Sequence, residues 1–338
     1  MIKYEKLILS PLGEGERAMS GIVVTGSAGF IGSHLCERLL EEDFQVIGID
    51  NFDSYYDRWF KERNLAALRD RKQFRFIEAD IRDLDGLRRE IGEAKVMIHL
   101  AARPGVRPSM KNPELYADIN ISGTISVLEL ALKLDVDQFI FGSSSSVYGL
   151  DEIPFREDSP ADRPLSVYGG TKRASEIILH AYSYNYGLPV TILRFFTVYG
   201  PRVRPDMAIY KFARGIFLGE EITVYGEGRL KRDYTYISDI VDGIMKALKR
   251  KFNYEILNLG SGRPIEIIKL IRLLEKYFGR KAKLRFAEKP REDMPETYAD
   301  ISKAKKLLGY EPKVPIEEGV RKFVEWFLSS MKELHKPF

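Results

Sequence analysis

The chain is poor in the residues from which disulfide frameworks and most metal sites are built. Its 338 residues include one cysteine and four histidines, and the histidines lie far apart in the sequence. A single cysteine cannot form a disulfide within the chain, and it suits a reducing cytoplasm. Histidines without a ligand spacing argue against a metal enzyme. We therefore expect a cytoplasmic protein that binds no metal.

Long apolar runs and a strong charge of either sign are also missing. No unbroken apolar stretch reaches the roughly 18 residues that a membrane-spanning helix needs. The net charge is +4, and the basic residues are spread among acidic ones instead of forming a block. A basic block or stripe is typical of nucleic-acid-binding proteins. The composition thus predicts neither a membrane nor a nucleic acid partner.

The first 18 residues differ from the rest of the chain. They lack the continuous apolar core and the cleavage site of a signal peptide, and Met19 stands directly before the first strand-like run. We expect residues 1–18 to be a disordered or loosely attached extension, or the result of a start assigned too early, with Met19 as the true initiator.

Short β-branched runs alternate with helical stretches from residue 20 onward. The predicted strands cover residues 21–25, 45–50, 74–78, 96–100, 138–142 and 189–193. The predicted helices run from Gly29 to Glu42, from Asn112 to Leu134 and from Tyr168 to Tyr186. Repeated strand–helix units of this length predict right-handed crossovers and an α/β fold with a doubly wound, Rossmann-type parallel sheet.

After Tyr199, glycine and proline break the chain into shorter pieces. This change in texture predicts a second, smaller unit. We predict a doubly wound domain of residues 19–195 plus 233–259, and a smaller mixed α/β substrate-binding lobe of residues 196–232 plus 260–338.

A glycine-rich loop follows the first predicted strand and opens the first predicted helix. Gly26, Gly29 and Gly32 stand where a backbone must approach a pyrophosphate closely, at a helix amino end that offers free N–H groups. Asp50 ends the second strand, where a carboxylate would accept hydrogen bonds from the adenine ribose and repel a 2′-phosphate. The pattern therefore predicts binding of NAD in preference to NADP.

The Gly-x-x-Gly-x-x-Gly spacing, together with Tyr168-x-x-x-Lys172, resembles the extended short-chain dehydrogenase/reductase family. The resemblance covers nearly the whole chain from Met19 and includes short motifs after the third, fourth and fifth strands. It implies that further residues contact the cofactor. These are Phe30, Ile31, Asn51, Asp80, Ile81, Leu100, Ala101, Ala102 and Asn120.

Tyr168 and Lys172 are the predicted catalytic pair. Positions four apart on a helix share one face, so both side chains can reach the same cofactor edge. A nearby ammonium and the positive nicotinamide ring would lower the pKa of the phenol from its ordinary value of ~10. The alternative interpretation is that this spacing on an exposed helix arises by chance. However, the pair lies at the start of the helix that follows the fifth strand, and ligand sites occur at the carboxyl ends of such strands.

The resemblance also assigns roles around this pair. Ser144 would hydrogen-bond the reacting hydroxyl while Tyr168 takes the proton of the sugar O4 and NAD accepts the C4 hydride. The 4-keto sugar then turns over and is reduced on its other face, so NAD stays bound. We also predict a catalytic role for Ser145 and a substrate contact for Ser146. Relatives that dehydrate or decarboxylate carry an acidic residue beside Ser144, whereas Ser145 and Ser146 are neutral. This difference favours epimerisation.

Three segments look most like UDP-glucuronate 4-epimerases: residues 48–57, 104–109 and 194–207. Oxidation at C4 of a glucuronate makes a β-keto acid that loses CO₂ easily, so the carboxylate must be held still. A bidentate arginine suits that task. We predict that Arg204 holds the carboxylate, with Thr197 and Ser109 as neutral donors nearby.

The nucleotide end of the substrate follows from the same resemblance. Arg232 would face the diphosphate, the segment that ends in Val224 and Tyr225 would flank the uracil, and Arg107 would add to the substrate site. Arg291 is similar to a second phosphate-binding arginine, although Arg291-Glu292-Asp293 departs from the Arg-x-Gly-Asp of the family.

Two alternatives remain open, and one assembly is expected. The first alternative is a 4-epimerase for neutral UDP-sugars such as UDP-glucose or its N-acetyl forms. The second is a non-catalytic NAD sensor with the same fold, because fold alone does not establish activity. The resemblance implies a homodimer built by the two long helices, and we expect Cys36, His34 and His99 to be structural.

Overall fold

The structure is a computed structural model and describes residues 21–334. The expectations for residues 1–18 and for Met19 lie outside the described residues and stay predictions.

A seven-stranded parallel sheet forms the centre of the molecule. Its strands are β1 Gly21–Thr25, β2 Gln45–Asp50, β3 Phe74–Glu78, β4 Val96–His99, β5 Gln138–Ser144, β6 Val190–Phe195 and β10 Tyr254–Leu259. Their order across the sheet is β10-β6-β5-β4-β1-β2-β3, and every neighbouring pair is parallel. The predicted doubly wound sheet is confirmed. The chain reverses its winding direction between β1 and β4, which is where such sheets bind ligands.

Helices cover both faces of this sheet, because its strands are apolar on both sides. Ile22 and Val24 of β1 belong to one buried cluster, and Val23 between them belongs to a second cluster on the opposite face. The helices associated with this sheet are α1 Phe30–Glu41, α2 Arg58–Arg69, α3 Leu84–Ile91, α4 Val106–Lys111, α5 Pro113–Ala117, α6 Gly123–Lys133, α7 Val167–Tyr186 and α9 Ile237–Leu248.

The helix predicted from Asn112 to Leu134 is present but interrupted. α5 and α6 are joined by a π-helical turn, Asp118–Ser122, so the whole runs from Pro113 to Lys133. By length and composition this helix could cross a membrane. The search for an uninterrupted apolar stretch did not detect it, because polar residues interrupt the helix. Val127, Leu128 and Ala131 are wholly buried against the sheet. Its apolar character is therefore that of a core helix.

The chain beyond β6 adds two small sheets. The first contains β7 Thr197–Tyr199, β9 Lys231–Tyr236 and β11 Pro264–Glu266, and the second pairs β8 Glu221–Tyr225 with β12 Lys283–Ala287. The remaining helices are α8 Ala208–Leu218, α10 Ile267–Phe278, α11 Ser302–Leu308 and α12 Ile316–Leu334. One buried cluster runs from β1 and α1 into these elements, through residues such as Tyr199 and Phe323. The predicted boundaries between the two units stay a prediction.

Candidate active site

A deep cavity opens at the carboxyl edge of the central sheet, and it gathers nearly all the predicted cofactor residues. Those that line it are Gly26, Gly29, Phe30, Ile31, Gly32, Asp50, Asn51, Asp80, Ile81, Leu100, Ala101, Ala102, Tyr168 and Lys172. Residues more than 140 positions apart in sequence meet here, because all seven strands are parallel and end at the same edge.

The glycine loop is shaped so that side chains would not fit. Gly26 adopts a φ of +73°, and a Cβ there would come within 2.9 Å of the Ala101 nitrogen. A Cβ on Gly32 would lie 2.1 Å from the Gly26 carbonyl oxygen. No side chain caps the amino end of α1, which begins at Phe30 beside the cavity. This bare backbone cradle at a helix amino end fits a pyrophosphate.

The adenosine end of the cavity is held by charged side chains. Asp50 is buried, and its Oδ1 accepts from the Phe52 backbone N–H at 2.9 Å and from Lys61 Nζ at 3.1 Å. Asn51 donates to Asp80, whose pKa lies near 2 because Arg82 and backbone donors stabilise its carboxylate despite partial burial. Lys61 was missed because the sequence reading predicted no helix at Arg58–Arg69, although Asp57 caps its amino end.

Two further groups of loop residues border the cavity, and the sequence did not reveal either of them. Arg103 Nη1 donates to both carboxylate oxygens of Asp53, at 2.6 and 2.7 Å, and joins the loop after β2 to the loop after β4. Tyr55 and Tyr56 lie on the same loop and line the cavity. Residues 48–57 resemble the corresponding segment of UDP-glucuronate 4-epimerases, but spacing alone does not reveal which of these side chains face the cavity.

Asn120 was predicted to bind the cofactor, and the structure corrects this. Its amide is 2% exposed, accepts from the Arg103 backbone N–H at 2.7 Å, and donates to the Arg103 carbonyl and to Thr171 Oγ1. These bonds occupy both ends of the amide. Asn120 therefore positions the loop after β4 against α7 and does not face the cavity.

Tyr168 lies in the first turn of α7, and a serine fixes its backbone. Ser166 caps the helix through the Gly169 N–H, and the Tyr168 N–H donates to Ser109 Oγ at 3.0 Å. Ser109 is wholly buried and donates in turn to the Val106 carbonyl at 2.6 Å. The prediction that Ser109 is a donor to substrate is therefore wrong. The Ser109 hydroxyl already makes two hydrogen bonds, and the one from the Tyr168 N–H holds that residue in place.

The phenol of Tyr168 lies close enough to Ser144, the predicted partner at the end of β5, for the serine to lower its pKa. Ser144 Oγ also donates to Ser146 Oγ at 3.2 Å and accepts from the Ser146 N–H. Ser144 and Ser146 are half-buried and Ser145 is buried, and none of the three lines the cavity, which reaches the neighbouring Ser143. The predicted catalytic roles of Ser144 and Ser145 stay predictions.

Lys172 lies one turn further along α7 and is almost fully buried. Its Nζ donates to the Gly142 carbonyl at 2.7 Å and stands 4.5 Å from the centre of the Phe141 ring. Burial lowers the pKa of Lys172 to about 7, although the carboxylate of Glu176 opposes this shift.

The pKa of the Tyr168 phenol differs from its expected direction. Burial raises this pKa above its ordinary value, and the hydrogen bond from Ser144 and the charge of Arg204 only partly oppose the rise. The protein groups alone thus keep Tyr168 protonated. The positive charge of a bound nicotinamide ring would act in the opposite direction and lower this pKa.

Arg204 lines the same cavity, but it is not a free arginine. Its Nε and Nη2 donate to the two carboxylate oxygens of Asp206 at 2.9 and 3.1 Å, and Tyr55 donates to Asp206 at 3.3 Å. Arg204 is within electrostatic range of Tyr168. Thr197 begins β7, is half-buried and does not line this cavity.

The predicted nucleotide-binding residues lie outside this cavity, with Tyr225 and Arg232 on the smaller sheets and Arg107 on α4. Arg107 donates to Asp293 at 2.6 Å and stacks over the Tyr225 ring at 4.3 Å. Burial lowers the pKa of Arg232, and the nearby cation of Arg107 adds to the effect. The two cations of Arg107 and Arg232 lie close to each other, which suits a diphosphate.

Two predicted residues of this group do not fit their predicted contacts. Val224 is wholly buried in the core, so its side chain cannot flank a uracil. Arg291 is exposed, and the structure gives it no defined role.

The histidine beneath the cavity is structural, as expected. His99 is wholly buried between the hydroxyls of Thr25 and Thr124, at 2.7 and 3.1 Å, and burial lowers its pKa to about 3. Among residues 21–334, no group of three or more His, Cys, Asp or Glu side chains could hold a metal ion.

Known proteins share this arrangement. A UDP-glucuronate 4-epimerase of Thermodesulfobacterium geofontis is 43% identical over 311 residues, which cover 91% of this chain and 96% of that protein. The crystal structure of a Bacillus cereus UDP-glucuronic acid 4-epimerase with UDP-glucuronic acid and NAD has a TM-score of 0.87 and 39% identity, covering 93% of this chain and 100% of that one.

A structure with a different sugar is similar as well. The UDP-glucose 4-epimerase of Thermotoga maritima, solved with UDP-glucose, has a TM-score of 0.84 and 33% identity over 92% of this chain and 99% of that one. The profile of the NAD dependent epimerase/dehydratase family matches residues 22–260, which hold the glycine loop, Asp50, Tyr168 and Lys172. The chain belongs to the NAD dependent epimerase/dehydratase family.

Proposed function

We propose that this enzyme interconverts UDP-glucuronate and UDP-galacturonate by epimerisation at C4. The observation that carries the proposal is the position of Arg204, a cation that lines the same cavity as Tyr168 and lies within its electrostatic reach. An anionic group on the reacting sugar is the natural partner of such a cation.

The residues divide the proton chemistry between them. The glycine loop and Asp50 would hold NAD, which when bound would supply reversible hydride transfer at C4. Tyr168 would take the O4 proton, and Ser144, which lies near the phenol, would hydrogen-bond the same sugar hydroxyl. Lys172 is fixed by the Gly142 carbonyl beside this site. Ser144, Ser145 and Ser146 offer no carboxylic acid, so the ketone is not channelled into elimination.

Arg204 would keep the 4-keto uronate from losing CO₂. A β-keto carboxylate decarboxylates when its C–CO₂ bond stands perpendicular to the carbonyl plane. A guanidinium that holds both carboxylate oxygens limits this rotation. The role of Arg204 is therefore to bind the uronate and to protect its product.

The test is product analysis after the purified protein is incubated with UDP-glucuronate without added reductant. UDP-galacturonate should form, and Arg204→Ala should lower turnover about a hundredfold and release a UDP-pentose. Arg202→Ala is the matched control, because Arg202 pairs with Glu37 outside the cavity. Unchanged epimerisation by Arg204→Ala, without pentose, would contradict the assignment.

A 4-epimerase for neutral UDP-sugars is the second candidate. The carboxylate of Asp206 balances the charge of Arg204, so the subsite as a whole is close to neutral. Assays with UDP-glucuronate, UDP-glucose and UDP-N-acetylglucosamine side by side separate the candidates. A higher kcat/KM for a neutral sugar would favour this second function.

We also propose that two copies associate through α7 and the Pro113–Lys133 helix. Support comes from large apolar side chains that α7 leaves exposed, with Ile177 at 57%, Tyr184 at 72% and Tyr186 at 62%. Such a surface is typical of an interface. Ile177→Asp should convert a dimer into a monomer in analytical ultracentrifugation, and a wild-type monomer would overturn the proposal. A cytoplasmic location remains part of this proposal, and cell fractionation would test it.

A further inference from the structure

Asp206 holds one edge of the arginine that we assign to the uronate. Its carboxylate accepts hydrogen bonds from Nε and Nη2 of Arg204 in a side-on arrangement. The oxygen that faces Nη2 also accepts a hydrogen bond from the hydroxyl of Tyr55. The arginine and aspartate side chains are 22% and 23% exposed, so water reaches the pair only in part. Such two-point pairs fix the plane of a guanidinium.

The ion pair between Arg204 and Asp206 persists because the two residues are close in the sequence. Arg204 and Asp206 are separated by Pro205 alone, and the Met207 N–H donates to the Arg204 carbonyl at 3.1 Å to close the turn. Proline fixes the backbone between the two side chains. The carboxylate cannot move far from the guanidinium when a ligand enters the cavity.

The other end of the guanidinium is left for a ligand. Within residues 21–334, no group accepts a hydrogen bond from Nη1 of Arg204, whereas Nη2 also lies 3.4 Å from Met207 Sδ. An arginine has five N–H donors, so a side-on carboxylate leaves the two Nη1 protons available. These protons can hold a second carboxylate while Asp206 stays in place.

Tyr55 supports the carboxylate of Asp206 through the hydrogen bond from its hydroxyl. A Cβ on Gly105 would lie 2.3 Å from the Tyr55 hydroxyl, so the loop after β4 packs directly on this phenol. Arg103 lies 5.4 Å from the centre of the Tyr55 ring. Tyr55 is thus wedged, and its hydroxyl keeps Asp206 from rotating.

We propose that Asp206 is a positioning residue that fixes the plane of Arg204, so that the arginine presents its Nη1 end to the substrate carboxylate and decides whether the keto intermediate is reduced or decarboxylated. The inference rests on the proposed function. In the side reaction the C5–C6 bond breaks and CO₂ leaves. The electron pair moves to the C4 carbonyl as an enol, and protonation at C5 gives a 4-keto pentose that the stored hydride reduces, so no external reductant is needed.

The experiment measures the ratio of UDP-pentose to UDP-galacturonate formed from UDP-glucuronate. Asp206→Asn keeps the shape of the side chain but breaks the two-point pair, and the ratio should rise roughly tenfold, as expected for the loss of one charge-assisted contact. Tyr55→Phe should raise it by a smaller factor. This ratio does not depend on how much of a variant is folded.

Glu37→Gln is the matched control. It breaks the Arg202–Glu37 pair, whose side chains are 23% and 29% exposed, in the neighbouring part of the chain but outside the cavity. Its product ratio should equal that of the wild type. A wild-type ratio in both Asp206→Asn and Tyr55→Phe would overturn the inference.

Failure of this inference is distinct from failure of the proposed function. If the wild type epimerises UDP-glucuronate and Arg204→Ala releases pentose, but Asp206→Asn does not, then the positioning role alone is wrong. If the wild type leaves UDP-glucuronate unchanged, both proposals are wrong.

Discussion

At the scale of single residues, burial shifts the pKa values of the predicted catalytic pair in opposite directions. It raises the pKa of the Tyr168 phenol and lowers the pKa of the Lys172 ammonium to about 7, because a buried site disfavours either charge. The protein alone therefore favours a neutral pair. A bound nicotinamide would bring a positive charge next to the phenol, and such a charge favours the phenolate.

The first prediction concerns the tyrosine. Tyr168→Phe removes the hydroxyl that exchanges the O4 proton but keeps the ring in its buried place, so kcat should fall by about 10²–10⁴-fold. NAD content after purification should stay unchanged, because the glycine loop is intact. Wild-type turnover in this variant would support a different base.

The second prediction concerns the lysine and pH. In the unfolded chain Lys172 has its ordinary pKa of 10.5, whereas in the folded protein the pKa is about 7. Between these values the unfolded state holds the extra proton, so the free energy of unfolding gains a contribution that grows as pH rises. The lysine is least favourable to folding at about pH 7 and below.

Chemical denaturation of the wild type and Lys172→Met at about pH 7 and about pH 9.5 measures this contribution. The stability of the wild type relative to the variant should increase with pH. A difference that does not change with pH would contradict a buried lysine of lowered pKa.

At the scale of elements, the glycine loop works because strand β1 and helix α1 approach each other closely at their junction. Gly32 lies in the first turn of α1 and packs on the Gly26 carbonyl. Sequence spacing predicted this loop correctly, since the requirement is local. The π turn at Asp118–Ser122 was not predictable, because it arises where Asn120 bonds to a distant loop and to α7.

The third prediction tests the loop. Gly32→Ala places a Cβ 2.1 Å from backbone, so the loop must shift, NAD affinity should drop and the free energy of unfolding should fall by about 1–3 kcal/mol. Gly170→Ala in α7 is the control, because its nearest non-local neighbour would be 3.9 Å away. It should be neutral or up to about 1 kcal/mol stabilising. Equal effects of the two changes would contradict the close-approach argument.

At the scale of the whole molecule, one buried ion pair ties the catalytic helix to the centre of the sheet. Glu176 of α7 accepts from Arg194 of β6 at 2.9 and 2.7 Å, from Ser143 of β5 at 2.6 Å and from Arg173 at 3.1 Å. Glu176 and Arg194 are essentially unexposed. The pair thus joins three elements directly behind Lys172.

The fourth prediction follows from this burial. Glu176→Gln leaves the Arg194 charge without its partner in the core, so the free energy of unfolding should fall by about 3–5 kcal/mol. Glu325→Gln breaks an exposed helical pair with Arg321 and should change it by less than about 0.5 kcal/mol. Thermal or denaturant unfolding compares the two. A small loss in Glu176→Gln would show that water reaches the pair.

The sequence by itself determined the features that depend on local spacing. The strand–helix alternation, the glycine loop with Asp50 and the Tyr168–Lys172 pair each rest on residues a few positions apart or on the fixed geometry of a βα unit. Backbone geometry at such distances leaves few alternatives. The parallel sheet and the cofactor cavity could therefore be predicted.

Only the tertiary structure decided what each polar side chain contacts. Ser109 and Asn120 turn out to support the site, and Lys61 and Tyr55 turn out to border it, because their partners lie on distant loops. The sequence predicted that Arg204 holds the substrate carboxylate, but it did not reveal that Arg204 pairs with Asp206 or that Tyr55 bonds to the same aspartate. Such contacts depend on how strands order across the sheet, which no local spacing records.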